Sequence, residues 1–229
     1  MLIKEHGIKS PKDMEKVQTT EINWSIIEKN IYQGNKEKSY ELLKKINHDN
    51  LSNLNNQKYY FFLGKYYHIN DFLSTAAMMY VKSYLYAQIG NFPTLESKKS
   101  AINLSNIMIE TIGPYETITQ SLLDHQNNII VSEPLNVEKL LTFSLDQNYP
   151  RGYYLLASYY NHIFWDNLKN FKNDEEKIDS INLILSFLNK YFKLETGTEK
   201  LNILDTSNAV EIKKNLLPFK KRLQEESRQ

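Results

Sequence analysis

From Asp174 onward the chain places apolar residues at a spacing that leaves little choice of fold. Ile178, Ile181, Leu185, Leu188 and Phe192 follow intervals of three, four, three and four, and Ile184, Phe187 and Tyr191 widen the stripe. A face that wide has to be covered on both sides, so this helix, with Asp174 as its expected cap, needs helical partners. The same period recurs upstream. Trp24, Ile27 and Ile31 share one face, and after a break at Gly34-Asn35 the residues Tyr40, Leu43 and Ile46 share another, which reads as a helical hairpin. Tyr60, Leu63 and Tyr67 mark the next helix, Asn70-Asp71 a turn and cap, and Ala76, Ala77, Tyr80, Tyr84 and Ala87 a partner helix closed by Gly90.

Beyond Pro93 the stripe Ala101, Leu104, Met108 and Ile112 runs to Gly113-Pro114, where proline disfavours a helical residue before it. The spacing of Ile118, Leu122 and Ile129 then predicts a helix from Tyr115 to about Gln126, with Ser132-Glu133-Pro134 as a loop. Asn136 is placed to cap a short helix through Val137, Leu140, Leu141 and Leu145. After Tyr149-Pro150 comes an aromatic helix through Tyr153, Leu156 and Tyr160, and residues 165–173 read as a loop with a short helical turn. Thr196-Gly197 ends the helix that starts at Asp174. A last helix through Ala209, Ile212 and Leu216 runs past Pro218 into a polar tail expected to fray. The fold class is therefore all-α: a poorly ordered arm over 1–20, a helical-repeat domain over 21–195, and a capping helix with a polar tail over 196–229.

Composition narrows the function. The 28 basic and 27 acidic residues leave a formal net charge of +1, so no global field draws the chain onto nucleic acid or anionic lipid. Cysteine is absent, which removes disulfides, thiolate nucleophiles and thiolate metal sites together. No apolar run reaches the 18 or so residues of a membrane span. The expected setting is cytoplasmic, with signal-less export left open.

Catalytic signatures fail one by one: HExxH, GxxxxGK[ST], GxGxxG and GxSxG do not occur. The pairs His48-Asp49 and Asp124-His125 are sequence neighbours, which on a helix point to different faces and do not orient an imidazole. No catalytic residue, metal site or cofactor is assigned.

Tyr60, Leu63, Gly64 and Tyr67, followed by Ala76, Tyr80 and Ser83, resemble the interlocking positions of the tetratricopeptide repeat. Tyr153, Leu156, Ala157 and Tyr160 repeat the first half of that pattern, and Trp24, Ile27 and Tyr40 give a weaker match. The segment LLTFSLDQNYPRGYYLLASYY is similar to a junction between Sel1-like repeats. About 93 residues separate the two best units, which is not a multiple of the 34-residue period. What the resemblance implies is a divergent right-handed superhelix of stacked antiparallel hairpins, in which Gly64 lets the second helix approach until Ala76 touches it.

The resemblance also implies a groove. Carried across position by position, its lining is Lys58, Phe61, Lys65 and His68 from one unit, Arg151, Tyr154, Ser158 and Asn161 from another, and Ile22, Ser25, Lys29 and Tyr32 from the weakest. Four of these twelve are Lys or Arg and none is acidic, so the expected ligand is an acidic or carboxylate-bearing segment. Lys29, Tyr32, Lys58, Phe61, Lys65, His68, Arg151, Tyr154 and Asn161 are the candidate peptide-binding residues. The expected function is a non-catalytic protein- or peptide-binding adaptor, with no nucleic-acid or membrane partner and homo-oligomers allowed. A ligand-sensing regulatory or host-directed protein built on the same repeats is the alternative.

Overall fold

The computed structural model describes residues 22–123, 129–146, 148–195 and 203–227. The expected N-terminal arm and the helix end at Thr196-Gly197 lie outside the described residues. The chain forms two compact units, Met1–Ile46 and Asn47–Gln229.

In the first unit α1 (Trp24–Tyr32) and α2 (Lys36–Lys44) pack as a hairpin. Asn23 caps α1 by accepting the Ile26 N–H at 3.2 Å. Gly34 then takes a left-handed φ of 72°, which a residue without Cβ adopts at no steric cost. Ile27, Ile31 and Leu43 are buried as their spacing requires, but Tyr40 is exposed.

The second unit holds α3 (Asn53–His68), α4 (Leu73–Gly90), α5 (Leu95–Thr111), strands β1 (Thr117–Leu123) and β2 (Ile129–Asn136), α6 (Val137–Phe143), α7 (Arg151–Asp166), α8 (Asp174–Glu195) and α9 (Ile203–Glu226). The protein is mostly helical. Each helix packs on the next, α5 on α6 included although the β-hairpin separates them in sequence; α3 also contacts α5, and α7 also contacts α9. Tyr80, Tyr84, Leu85, Ala101, Ile102, Leu104, Leu140 and Leu141 are buried on α4 to α6. Tyr154, Ala157, Phe164, Ile181, Leu188, Tyr191, Ala209 and Leu216 form a core among α7, α8 and α9.

The nearest neighbour of Gly64 on α4 is Tyr80 rather than the expected Ala76. An ideal Cβ on Gly64 would stand 2.6 Å from Cε1 and 2.7 Å from Cδ1 of Tyr80. The glycine is there to admit an aromatic ring, and a ring needs more room than the alanine methyl expected from the sequence. Beside it runs a buried polar seam. The Ser83 hydroxyl donates to the Gln57 carbonyl at 2.8 Å, and the Ser100 hydroxyl donates to Ser83 Oγ at 2.9 Å, which ties α3, α4 and α5 together. The Gln57 amide then holds the α4–α5 connection, donating to the Phe92 carbonyl at 3.2 Å and accepting the Thr94 N–H at 2.9 Å.

The helix expected from Tyr115 to about Gln126 is replaced over Thr117–Leu123 by a strand, and its last residues lie outside the described ones. Thr117–Leu123 pairs antiparallel with Ile129–Asn136, Thr117 opposite Asn136 and Leu122 opposite Val131, with an irregularity at Leu122/Leu123. Ile118 and Leu122 stand four apart, an interval that fits one face of a helix and one face of a strand equally. What decides is the β-branched run Thr117, Ile118, Thr119 and the pairing itself. Even-numbered residues of β1 turn inward, ending in buried Leu122, while Thr117, Thr119 and Ser121 are exposed. Ser132, Glu133 and Pro134 therefore lie on a strand, where an outward proline is tolerated because each strand of a two-stranded sheet is an edge.

Three caps and ends also differ. Asp71 does not cap α4 but takes a left-handed φ of 64°, with Phe72 in the cap position. Asn173, not Asp174, caps α8, accepting the Glu176 N–H at 2.9 Å, and Asp174 pairs with Lys177 at 2.7 Å. The polar tail expected to fray after Pro218 is helical as far as Glu226, with Leu223 buried.

Candidate functional site

Lys65 on α3 feels the positive charges of Lys99 on α5 and of Arg151 at the start of α7. Helices α3 and α5 are in contact. Lys99 Nζ sits 4.9 Å from the ring centre of Tyr149, two residues before Arg151. The ammonium of Lys65 is held below its ordinary pKa, first by burial and then by the positive charges of Arg151 and Lys99.

The acids nearby come from the protein itself. Arg151 Nε is 3.0 Å from Asp205 Oδ2 at the start of α9. Asp205 is buried, which pushes its carboxyl up, and Arg151 pulls it back only in part. Lys98 is committed elsewhere: its ammonium donates to Asp146 at 2.7 Å and to the Leu145 carbonyl at 3.2 Å, tethering α5 to the turn before α7. Gly152 allows that turn to close, since a Cβ there would meet Ser144 Oγ at 2.8 Å and the Ser144 carbonyl oxygen at 3.0 Å.

The nine residues read from the sequence fall into four groups. The positive charge of Arg151 acts on Lys65, and Lys58 and His68 are half-buried along the same helix as Lys65. His68 Nδ1 shares a 3.2 Å hydrogen bond with the Tyr80 hydroxyl. Burial and then Lys65 lower its pKa, against smaller upward pulls from Glu110 and Asp71. Phe61 and Tyr154 are buried, 2% and 6% exposed, and serve the core rather than a contact surface. Tyr154 packs 5.7 Å from the Tyr191 ring, and its hydroxyl accepts from Asn208 at 3.4 Å. Asn161 accepts the Trp165 indole N–H at 3.1 Å on the same helix. Lys29 and Tyr32 are exposed on α1, in the other compact unit.

Sequence reasoning missed Lys99 and Asp205. The doublet Lys98-Lys99 was the available signal, but α5 had no aromatic-glycine pattern to mark its register.

Two other places were weighed for chemistry. Tyr115 donates to Asp166 at 2.6 Å, and His162 Nε2 stands 3.2 Å from the same oxygen. That hydrogen bond pushes the Tyr115 phenol up to about 12, so it remains a donor at neutral pH. The trio lies at the surface, and its contacts bring no serine or threonine hydroxyl to the imidazole. Between α7 and α8 a cleft of about 410 Å³ is lined by Ile163, Phe164, Phe171, Leu183 and Ile184, with Asn167, Asn170, Glu176 and Ser180 among them. Asn170 donates to Asn167, and Glu176 accepts the Lys172 N–H, so these polar groups are already engaged within the chain.

Among the described residues no group of three or more His, Asp or Glu side chains is placed to hold a metal ion, and no helix is long and apolar enough to cross a membrane. No protein-family model, no curated protein and no solved structure matches the chain.

Proposed function

We propose that this chain is a non-catalytic, cytoplasmic peptide-binding module built on divergent tetratricopeptide-like or Sel1-like hairpins, whose partner carries negative charge. The observation that carries this reading is the shared neighbourhood of Lys65 and Arg151, 86 residues apart in sequence and both taken from the expected groove positions. In a stacked array the first helices of successive hairpins line one face. The contacts of α3 with α5 and of α7 with α9 fit such stacking into a right-handed superhelix.

The β-hairpin supports the same reading by accounting for the irregular period. The 93 residues from Tyr60 to Tyr153 exceed two 34-residue repeats by 25, and residues 112–136, between α5 and α6, number 25. On this view α5 and α6 are one repeat with an insertion in its turn. The exposed residues of α9 are mostly polar, Ser207, Glu211, Lys214, Asn215, Lys221 and Arg222 with Val210 and Leu217 among them, which suits the end of an array.

Selection of a displayed peptide library against the full chain tests this. Enriched peptides are expected to be acidic, and Lys58→Glu with Lys65→Glu is expected to weaken them at least tenfold, about 1.4 kcal/mol, at nearly unchanged melting temperature. Enrichment of neutral sequences, or undiminished binding by the folded double variant, would move the contact surface elsewhere.

A further inference from the structure

The two edges of the β-hairpin are protected very differently. On β2 the main chain offers little to a further strand: Pro134 has no N–H, and its carbonyl accepts from Lys139 Nζ at 3.1 Å. Glu133 pairs with the same ammonium and keeps it at that edge. A carbonyl engaged there faces away from β1, so Pro134 and Thr119 opposite it exchange no main-chain hydrogen bonds. Thr119 therefore turns its own N–H and C=O outward, and by the alternation of the ladder so do Thr117 and Ser121. No such device blunts this second edge. Thr117–Leu123 holds no charge, no proline and no glycine, it packs on β2 and α4, and among the described residues no third strand pairs with it.

The strand is also complementary to itself. Turned antiparallel about Gln120, it sets Thr119 opposite Ser121 of the other copy, Ile118 opposite Leu122 and Thr117 opposite Leu123. A register centred on Thr119 would set Ile118 against Gln120 and Leu122 against Glu116, and one centred on Ser121 would set Leu122 against Gln120. We propose that two copies of this chain pair through β1, antiparallel about Gln120, into a continuous four-stranded sheet in the order β2-β1-β1-β2. The outward groups of Thr119 and Ser121 in one copy meet those of Ser121 and Thr119 in the other. The exposed hydroxyls of Thr117, Thr119 and Ser121 remain on the solvent face, where Ser121 already donates to Ser132 Oγ at 2.9 Å across the hairpin. On the other face Ile118, half-buried in a single copy, gains Leu122 of the second as a neighbour. Each edge is about 24 Å long, short of a standard interface, so the pairing is reversible with a dissociation constant on the order of 10 to 100 µM.

Sedimentation velocity of the full chain, from about 2 to about 200 µM at pH 7.5, tests this, and a monomer–dimer equilibrium is expected. Thr119→Lys with Ser121→Lys sets lysine against lysine at both pairs beside the dyad and should weaken the dimer at least tenfold. Thr119→Lys with Ser121→Glu sets lysine against glutamate at the same two pairs, and should leave the dimer within about threefold of the parent or tighten it. Both variants place charges at the same exposed positions, so a loss in the first alone belongs to pairing across the dyad and not to damage within β1. Thr119→Pro removes an outward N–H while sparing the β1–β2 ladder, and should weaken the dimer at least threefold. It carries the test if a double variant does not fold, with far-UV circular dichroism and thermal melts reporting folding. A chain monomeric at about 200 µM, full affinity in a folded Thr119→Pro or double-lysine variant, or equal losses in the two double variants would overturn the self-pairing. A chain that stays monomeric yet binds the capped peptide Thr117–Leu123 would overturn it as well, and would give the edge to an extended segment of another protein.

Discussion

The Tyr80 ring lies against Gly64 so closely that a methyl group on that glycine would stand 2.6 Å from a ring carbon. The ring has nowhere to go, because Tyr80 is fully buried and its hydroxyl is bonded to His68. Gly64→Ala should therefore destabilise the protein by about 1 to 3 kcal/mol through overpacking, although alanine is the better helix former by about 1 kcal/mol. Combining it with Tyr80→Leu should recover part of the loss relative to Tyr80→Leu alone. Denaturant melts read both, and a Gly64→Ala variant as stable as the parent would show that the two helices stand further apart.

Gln57 is expected to matter more than a lone amide would. Gln57→Leu keeps the side chain's bulk but leaves the Thr94 N–H and the Phe92 carbonyl without their partner. A loss of about 2 kcal/mol or more is expected, with faster amide exchange at Thr94. Unchanged exchange there would mean that the connection is held by other contacts.

Acid should weaken the α3–α4 pair through His68. Its folded pKa lies below the ordinary value of 6.5, so its contribution is present in full above that pH and is lost as pH falls through the folded value. The drop in melting temperature between pH 7.5 and pH 5 should be smaller in His68→Gln than in the parent. The groups acting on this imidazole are Tyr80, Lys65, Glu110 and Asp71, and a pH dependence identical in the two proteins would assign the acid sensitivity elsewhere.

The β-hairpin should behave as part of the folded core rather than as an appended loop. Leu135, fully buried, should cost about 2 to 5 kcal/mol when changed to alanine, whereas the exposed Thr119→Ala should cost well under 1. Equal small effects would indicate that the hairpin packs on nothing.

The helices were legible because their apolar residues repeat at an interval no strand shares; the stripe from Ile178 to Phe192 is buried or partly buried at every position. The β-hairpin was not, because the single interval from Ile118 to Leu122 satisfies both periods and the inward residue between them is Gln120. The buried partner of Gly64 was misjudged for a related reason: sequence places Ala76 and Tyr80 on one face, and only the packing selects which of them meets the glycine. At the candidate site Lys65 and Arg151 were found by register, but Phe61 and Tyr154 on the same registers are buried. A shift of one residue along a helix turns a side chain by about 100°, enough to exchange groove for core. Lys99 and Asp205 needed the tertiary arrangement, since neither belongs to a pattern in the chain.

The Lys65 ammonium gives the most direct test of whether α3 and α7 present one face. Its pKa, followed by carbon-13 shifts of the labelled lysine side chain, should lie below the ordinary 10.5, held down first by burial and then by Arg151. Changing Arg151 to Met should raise it measurably while distant Lys172 does not move. A Lys65 pKa indifferent to Arg151→Met would contradict the shared face on which the peptide groove depends.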